Sequence, residues 1–346
     1  MKKSAATLKT LMLLCLLFFI VIFSGCQEKF TEKTSFAMGS ILSAKIFSQD
    51  EQLNEEVFSL INSAVRNADK ALSNTDENAE IYTLNKNGGI QASDYLTSVL
   101  SDSISVCNKL GRRVDISIGK LTSLWGFNTE TPSLPKASDI EEQLPLIDID
   151  KIAIDGNKIA IEDIEIDMGA LGKGAACDAA FEAVKHKDIP FIMSLGGTVL
   201  AFGENPSGSH WTIGIRDPFL SANSYFATLK LAPKNAVFVS TSGSYEKTFT
   251  ENSKTYHHIL DPKTGYPVEN ELISVTVVSP SGITADALST ALFINGLNAE
   301  SLVSLKSFSS EAVFVFKNKT YYVTDGLKEA LELTSSDYKY LDYNEN

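Results

Sequence analysis

Two adjacent histidines in the last third of the chain are the residues best suited to acid–base chemistry. His257 and His258 are half of the four histidines, and they run into "ILDPKTGYPV", whose prolines and glycine favour a turn. Histidine titrates near neutral pH and can carry a proton during catalysis. Neighbouring side chains of an extended segment point to opposite faces, so the two are not expected to share one role. A structural role is the ordinary alternative.

A carboxylate and a hydroxyl lie four residues apart in "TADALSTALFING", residues 284–296. This spacing places Asp286 and Thr290 on one face of the predicted helix. Oxygen ligands of this kind suit a hard cation such as Mg²⁺, which also keeps waters or substrate phosphates. The same spacing suits an aspartate that favours the start of a helix and a threonine bonded to its own backbone.

A glycine-rich turn joins a predicted strand to a predicted helix at "IDMGALGKG", residues 166–174. Glycines let a ligand approach the backbone closely, and a helix start beside Lys173 favours phosphate. The segment lacks the spacing of the Walker A and G-x-G-x-x-G motifs, so a tight turn without a ligand is the simpler interpretation. Ser242, in "VSTSGSYEKTF", is likewise suited either to a ligand or to the turn itself.

The N-terminal residues predict export. A lysine-containing start precedes "LMLLCLLFFIVIF", an apolar run of thirteen residues, which is shorter than the roughly 20 residues of a spanning helix and typical of a signal peptide. The run ends in "FSGC", which resembles a lipobox. We therefore predict a lipoprotein signal peptide over 1–25, lipidation of Cys26 and a polar tether over 26–33. An uncleaved N-terminal anchor is the alternative, and both place the chain on the extracytoplasmic face of the cell membrane.

Charge and cysteine content exclude several classes of function. The net charge is −13, and loss of residues 1–25 with their three lysines lowers it to −16. Such a chain is not expected to bind nucleic acid or to adhere directly to anionic lipid. Cys107 and Cys177 lie in apolar helical patterns without a CxxC motif, so they are predicted to be buried thiols.

The order of predicted elements indicates an α+β fold with mixed or antiparallel sheets and inserted helices. Apolar spacing predicts helices over 53–72 and 95–110, whereas the second half contains runs of predicted strands. "FAMGSILSAKIF" is predicted as a single strand, Gly196-Gly197 as a bulge or close approach, and 128–145 as a surface excursion. Strands in runs with helices between them favour α+β over regular βαβ alternation.

Eight segments in one order resemble the ApbE family, the FAD:protein FMN transferases. They are "FAMGS", "DISIGKLTSLWGF", "IDMGALGKG", "SLGGTVLAFG", "WTIGIRDP", "TSGSYEKTF", "HHILDPKTGYPV" and "ADALSTALFING". The resemblance implies one T-fold-like flavin transferase domain over 34–342. It also implies Mg²⁺-dependent transfer of FMN from FAD to a Ser or Thr hydroxyl through a phosphoester bond, with release of AMP. The implied acceptors are subunits of membrane redox complexes.

The resemblance also assigns roles to individual residues. It makes His258 the catalytic base or proton carrier. The implied metal ligands are Ala170, Asp286, Ser289 and Thr290, with Ala170 acting through its backbone carbonyl. The implied FAD-binding residues are Met38, Thr75, Val114, Asp115, Asp167, Lys173, Ser242, Glu246 and Ile259.

Three positions depart from the family pattern. Thr75 replaces an aromatic residue near the flavin ring, Thr198 replaces an acid after Gly-Gly, and Ile116 replaces a proline. Stacking on the flavin must then be absent or come from another residue. Two other functions remain open: hydrolysis of FAD to FMN and AMP, and FAD binding without turnover. Retention of His258, Asp286 and Thr290 favours catalysis over storage.

Overall fold

The computed structural model of the chain describes residues 30–208, 210–221, 223–232 and 235–343. The predicted signal peptide and Cys26 lie outside these residues. Within the described ranges, no helix has both the length and the apolar character needed to cross a membrane.

The helices bear out the apolar periodicities read from the sequence. They are α1 (Glu51–Leu72), α2 (Glu80–Asn87), α3 (Asp94–Lys109), α4 (Gly119–Trp125), α5 (Ala137–Gln143), α6 (Gly172–Val184), α7 (Gly282–Asn295) and α8 (Ala299–Ser307). Helix α1 begins at Asp50, whose carboxylate accepts hydrogen bonds from the first-turn amides, as a good N-cap does. Its buried residues Val57, Ile61, Val65 and Ala68 recur at helical spacing.

The strands fall into one large sheet and three small ones in the described part of the chain. They are β1 (Thr31–Ala37), β2 (Ser40–Ile46), β3 (Gly89–Gln91), β4 (Ile152–Asp155), β5 (Lys158–Ile161), β6 (Phe191–Leu195), β7 (Thr198–Phe202), β8 (Trp211–Arg216), β9 (Tyr225–Leu231), β10 (Ala236–Gly243), β11 (Thr248–Glu251), β12 (Lys254–His257), β13 (Leu272–Ser279), β14 (Glu311–Phe316), β15 (Thr320–Val323), β16 (Leu331–Leu333) and β17 (Lys339–Tyr340). The large sheet has the order β1-β2-β6-β7-β10-β13-β14-β15-β17. Its pairs are antiparallel except β15 with β17. The predicted α+β class is confirmed.

The large sheet is buried on both faces, because alternate residues of strand β14 belong to two different cores. Its residues Ala312 and Phe314 join the core beneath α1, α6 and α7. The alternate residues Val313 and Val315 join a second core formed with β8 and β9. Side chains of a strand alternate between faces, so a strand buried on both faces reads as a continuous apolar run.

The structure tests four local predictions. "FAMGSILSAKIF" is the hairpin β1–β2 rather than one strand, because Met38 and Gly39 both have positive φ (51° and 66°) and form its turn. Gly196-Gly197 joins β6 to β7 as a hairpin turn and not as a bulge, whereas the predicted alternative of a close approach is confirmed, because a Cβ at Gly197 would lie 3.3 Å from the Thr241 carbonyl oxygen. The segment 128–145 lies at the surface as predicted, but it contains α5, whose Ile140 is buried in one cluster with Trp125. Strand β1 also begins at Thr31, inside the segment predicted as a tether.

Helices α6 and α7 cross in backbone contact at Gly174 and Gly282. A Cβ added at either glycine would overlap the carbonyl group of the other, so each position requires glycine. The crossing brings the side chain of Asp286 against the first turn of α6, where it accepts a hydrogen bond from the Gly174 amide at 2.9 Å.

We expect Gly174→Ala to destabilise the protein by about 1–3 kcal/mol, the usual cost of overpacking, because the added methyl group must separate α6 from α7. Urea or thermal unfolding of the purified chain measures the loss. Gly172→Ala in the same helix is the matched control, since a Cβ there meets only side-chain atoms at 3.4 Å and beyond. Equal loss in both variants would contradict the assigned contact.

Candidate active site

A cleft lies where the first turn of α6, the end of β10, the β6–β7 turn and α7 meet. It contains most of the site residues predicted from the sequence. These are Val114, Asp115, Asp167, Ala170, Lys173, Ser242, Glu246, His258, Ile259, Asp286 and Thr290. The structure thus brings together residues that span more than half of the chain.

The cleft continues into a second hollow beside the β1–β2 turn. Met38 and Thr75 line this hollow, and Asp167 and Lys173 line both parts. Met38 is fixed there because its amide donates to Asp69 Oδ2 at 2.8 Å. Thr75 lies on an exposed loop after α1. The two parts together form an elongated site, suited to a ligand with two ends.

Asp286 is a buried carboxylate without a cation partner. Its side chain is 5% exposed. Oδ2 accepts from the Gly174 amide at 2.9 Å and Oδ1 accepts from Ser240 Oγ at 2.7 Å. The described residues supply no lysine, arginine or histidine in an ion pair with it. A buried charge of this kind calls for a counter-ion.

Hydroxyl oxygens complete a polar cluster next to Asp286. Ser242 Oγ lies 2.8 Å from Ser289 Oγ and 3.0 Å from Thr290 Oγ1. Ser289 is fully buried and donates to the Asp286 carbonyl at 2.8 Å, so its hydroxyl faces its own helix. Thr290 is four residues from Asp286 and also lines the cleft, as predicted.

The donor set around Asp286 fits Mg²⁺ better than a transition metal. No group of three His, Cys, Asp or Glu side chains able to hold a metal occurs in the described residues. A cation here would be held by one carboxylate, the Thr290 hydroxyl and the nearby Ala170 backbone. Mg²⁺ is commonly bound through one or two carboxylates, with waters or phosphates for the rest.

Asp167 and Asp115 are held rigidly by hydrogen bonds on the cleft wall. Asp167 accepts from Thr122 Oγ1 at 2.7 Å, Asn74 Nδ2 at 3.1 Å and the Gly169 amide at 2.7 Å. Asp115 accepts from the amide and hydroxyl of one serine, Ser117. Their carboxylates are therefore well placed to orient polar groups of a ligand.

His258 is a neutral histidine with one ring nitrogen free for proton transfer. Its Nδ1 lies 3.2 Å from the Glu246 carbonyl, which only accepts, so Nδ1 carries the proton and Nε2 is the basic atom. Burial, followed by the nearby Lys247 ammonium and the His257 ring, lowers the pKa of His258 from 6.5 to about 4.

His257 has a structural role instead. Its Nε2 donates to the Val268 carbonyl at 2.9 Å, and its Nδ1 accepts from the Ile259 amide at 3.3 Å. The ring also packs edge-on against Phe293. With both nitrogens occupied, His257 fixes the backbone that carries His258, and the two rings make different hydrogen bonds.

Lys247 and Asn128 were missed by the sequence analysis although they line both parts of the cleft. Lys247 Nζ donates to Asn128 Oδ1 at 2.8 Å. Burial and then the charge of Lys173 lower the pKa of Lys247, so two lysines converge on the cleft. The quoted motif contains Lys247, but no local signal links it to a residue 119 positions earlier.

Phe127 is the one aromatic side chain that lines the cleft within the described residues. Its ring stacks on Trp125 at 5.8 Å with an interplanar angle of 14°. Trp125 in turn donates from Nε1 to the Gly265 carbonyl. Phe127 therefore supplies a rigid aromatic surface in the cleft, which Thr75 cannot supply.

Comparison with known proteins agrees with this geometry. The family model described as the ApbE family matches residues 38–314. A FAD:protein FMN transferase of Klebsiella pneumoniae is 30% identical over 88% of this chain and 95% of its own length. One from Haemophilus influenzae is 28% identical over 77% and 79%.

Solved structures show the same fold. The ApbE protein of Thermotoga maritima has a TM-score of 0.80 at 25% identity, covering 87% of this chain and 99% of its own. The flavinyl transferase ApbE of Pseudomonas stutzeri has a TM-score of 0.76 at 25% identity, covering 89% and 98%. Together with the family match over residues 38–314, these similarities show that the chain belongs to the ApbE family.

Proposed function

We propose that this protein transfers FMN from FAD to a Ser or Thr hydroxyl of an acceptor protein and releases AMP. The observation that carries the proposal is the convergence of the unpaired carboxylate Asp286 and the free Nε2 of His258 on one elongated cleft. The names of the relatives, FAD:protein FMN transferases, support the same reaction.

The proposed step is an in-line exchange of one P–O bond for another. The acceptor oxygen attacks the phosphorus of the FMN half, and the bond from that phosphorus to the bridging oxygen breaks. AMP leaves with the bridging oxygen. The hydroxyl proton passes to Nε2 of His258, whose opposite nitrogen is held by the Glu246 carbonyl. The product is a phosphoester between FMN and the acceptor.

The residues around Asp286 fit the Mg²⁺ that the family implies. Asp286, Thr290 and the Ala170 carbonyl would hold it, and the Ser289 hydroxyl would support Thr290 through Ser242. When bound, Mg²⁺ supplies positive charge that neutralises the pyrophosphate and the leaving AMP. Lys173, at the start of α6, and Lys247, in the loop after β10, both line the cleft and would bind the phosphates.

We propose the location of the reaction in the cell from the N-terminal sequence. Cys26 would carry the lipid anchor, so the domain would lie at the extracytoplasmic face of the membrane with acceptor subunits of membrane redox complexes within reach. Strand β1 begins at Thr31. A tether from Cys26 to that strand spans at most about 18 Å at roughly 3.5 Å per residue, which would keep the domain close to the membrane surface.

The direct test is a transfer assay with the full-length chain in detergent. The chain is incubated with FAD, Mg²⁺ and a flavin-free subunit of a membrane redox complex that natively carries FMN on a threonine. Intact mass of the acceptor and release of AMP are read together. We expect a gain of one FMN and an equal amount of AMP. His258→Ala should slow transfer by about 10²–10⁴-fold, and Asp286→Ala should abolish it.

Matched controls are His186→Ala and Asp155→Asn, since both side chains are exposed outside the cleft. They should transfer at the rate of the parent chain. AMP formed with an unmodified acceptor would indicate FAD hydrolysis instead. FAD bound without any AMP would indicate a binding protein, and FAD binding should then partly survive Asp286→Ala.

Acid titration tests the neutral state assigned to His258. Its folded pKa of about 4 lies below the unfolded value of 6.5, so the unfolded chain binds the proton more readily. Stability is therefore lost as pH falls from about 6.5 through 4. We expect His258→Gln to reduce this loss, whereas His186→Gln should not.

NMR of the ring measures the same property directly in the chain without added metal. The His258 ring should titrate near pH 4, and Lys247→Met should move its midpoint toward 6.5, because a repelling positive charge is removed. A His258 midpoint at 6.5 in the parent chain would contradict the assigned environment.

A further inference from the structure

The outer face of the β1–β2 hairpin carries an exposed apolar pair at its end nearest the cleft. Phe36 and Ile41 are direct partners in the antiparallel register and therefore lie side by side on one face. Each is 64% exposed. Toward the far end of the same face the residues become polar, where Glu32 and Lys45 form an ion pair at 3.7 Å.

This apolar pair is continuous with the rim of the cleft. Ala37 and the turn Met38–Gly39 separate Phe36 from Ser40 along the chain, and that turn lines the second hollow. The Ile41 carbonyl accepts a hydrogen bond from the Gly196 amide at 3.3 Å. A Cβ at Gly196 would lie 2.8 Å from Ser40 Oγ and 3.4 Å from Lys173 Cδ. The apolar pair thus lies at the same end of the sheet as the rim of the cleft, but on the opposite face from Ala37 and Leu42, which pack in the core beneath the helices.

The glycine turn presents exposed backbone to solvent at this rim, while Ser40 and Lys173 fill the position that a side chain of Gly196 would take. Gly196 and Gly197 are both exposed, and Gly197 lines the cleft. Residues without side chains permit close approach of another backbone. A protein substrate must bring its hydroxyl past the rim, because the cleft itself would be filled by FAD. Exposed apolar side chains ringed by polar groups are typical of a protein interface.

We propose that the acceptor protein docks on Phe36 and Ile41, laying the apolar residues that flank its target hydroxyl on this pair and its backbone across Gly196-Gly197. The inference rests on the proposed transferase function. It assigns the acceptor to the hairpin face and FAD to the elongated cleft. Phe36 and Ile41 make no contact with FAD in this arrangement, so they act in acceptor recognition alone.

The test measures transfer rates as a function of acceptor concentration for Phe36→Glu, Ile41→Glu and the milder pair Phe36→Ser and Ile41→Thr. The full-length chain in detergent and the same flavin-free redox subunit are used. We expect the KM for the acceptor to rise about tenfold or more for each glutamate variant, the effect of losing an interface anchor. The KM for FAD and kcat at saturating acceptor should stay unchanged.

Val303→Glu is the matched control, because Val303 is 65% exposed and lies on α8, outside the residues that line the cleft. It should leave the acceptor KM unchanged. Thermal unfolding of every variant separates misfolding from lost docking, and the Ser and Thr variants keep the test valid if a glutamate variant unfolds.

Three outcomes would overturn the docking surface while leaving the transferase intact. These are an unchanged acceptor KM, a KM that rises only when lipid vesicles are present, and loss of a dimer measured by light scattering in place of a change in KM. The last two would identify the pair as a lipid contact or as a self-association contact. If the parent chain transfers no FMN at all, the proposed function fails rather than the docking surface.

Discussion

The backbone contact between Gly174 and Gly282 is the constraint on which the site depends. A helix that carries side chains at its crossing point keeps its neighbour 8–10 Å away, but two facing glycines allow closer approach. At this separation a carboxylate on α7 reaches the first free amide groups of α6, and Asp286 accepts a hydrogen bond from Gly174. The start of α6 is also where Lys173 stands. One crossing therefore fixes a buried negative charge, a helix N-terminus and a lysine in a single arrangement.

The remaining polar groups of the site extend from that carboxylate in two directions. Through Ser240, Asp286 is linked to Thr198, whose hydroxyl lies 3.2 Å from Ser240 Oγ. A carboxylate at position 198 would add a second negative charge beside Ser240, and the threonine avoids that repulsion. On the cleft side, Ser242 joins Thr290 through hydroxyl contacts. Ser240 and Ser242 are two residues apart on strand β10, so their side chains point to the same face of the sheet.

Site residues that lie together in one motif could be predicted from the sequence. A contact between residues that are far apart in the chain could not. His258, Lys173, and the Asp286–Thr290 pair each stand in a contiguous motif whose spacing has a physical meaning. The hydrogen bond between Lys247 and Asn128 depends on which loops become neighbours, and local propensity does not contain that information. The hairpins at Met38-Gly39 and Gly196-Gly197 are different, because a two-residue turn containing glycine is a local signal that the predicted single strand and bulge leave out of account. The α+β class was predictable because runs of strands do not depend on exact pairing.

The three residues that depart from the family pattern are not among the groups that the proposed chemistry uses. Ile116 is a fully buried core residue, and Thr198 is buried behind Ser240. Thr75 is exposed and lines the second hollow. Phe127 stacks on Trp125 and lines both parts of the cleft. None of the three positions contributes an atom to the cluster of Asp286 and Thr290 or to the free nitrogen of His258. The proton acceptor is therefore independent of these substitutions, whereas Thr198 affects the charge beside Ser240 and Thr75 bears on how a flavin ring is held.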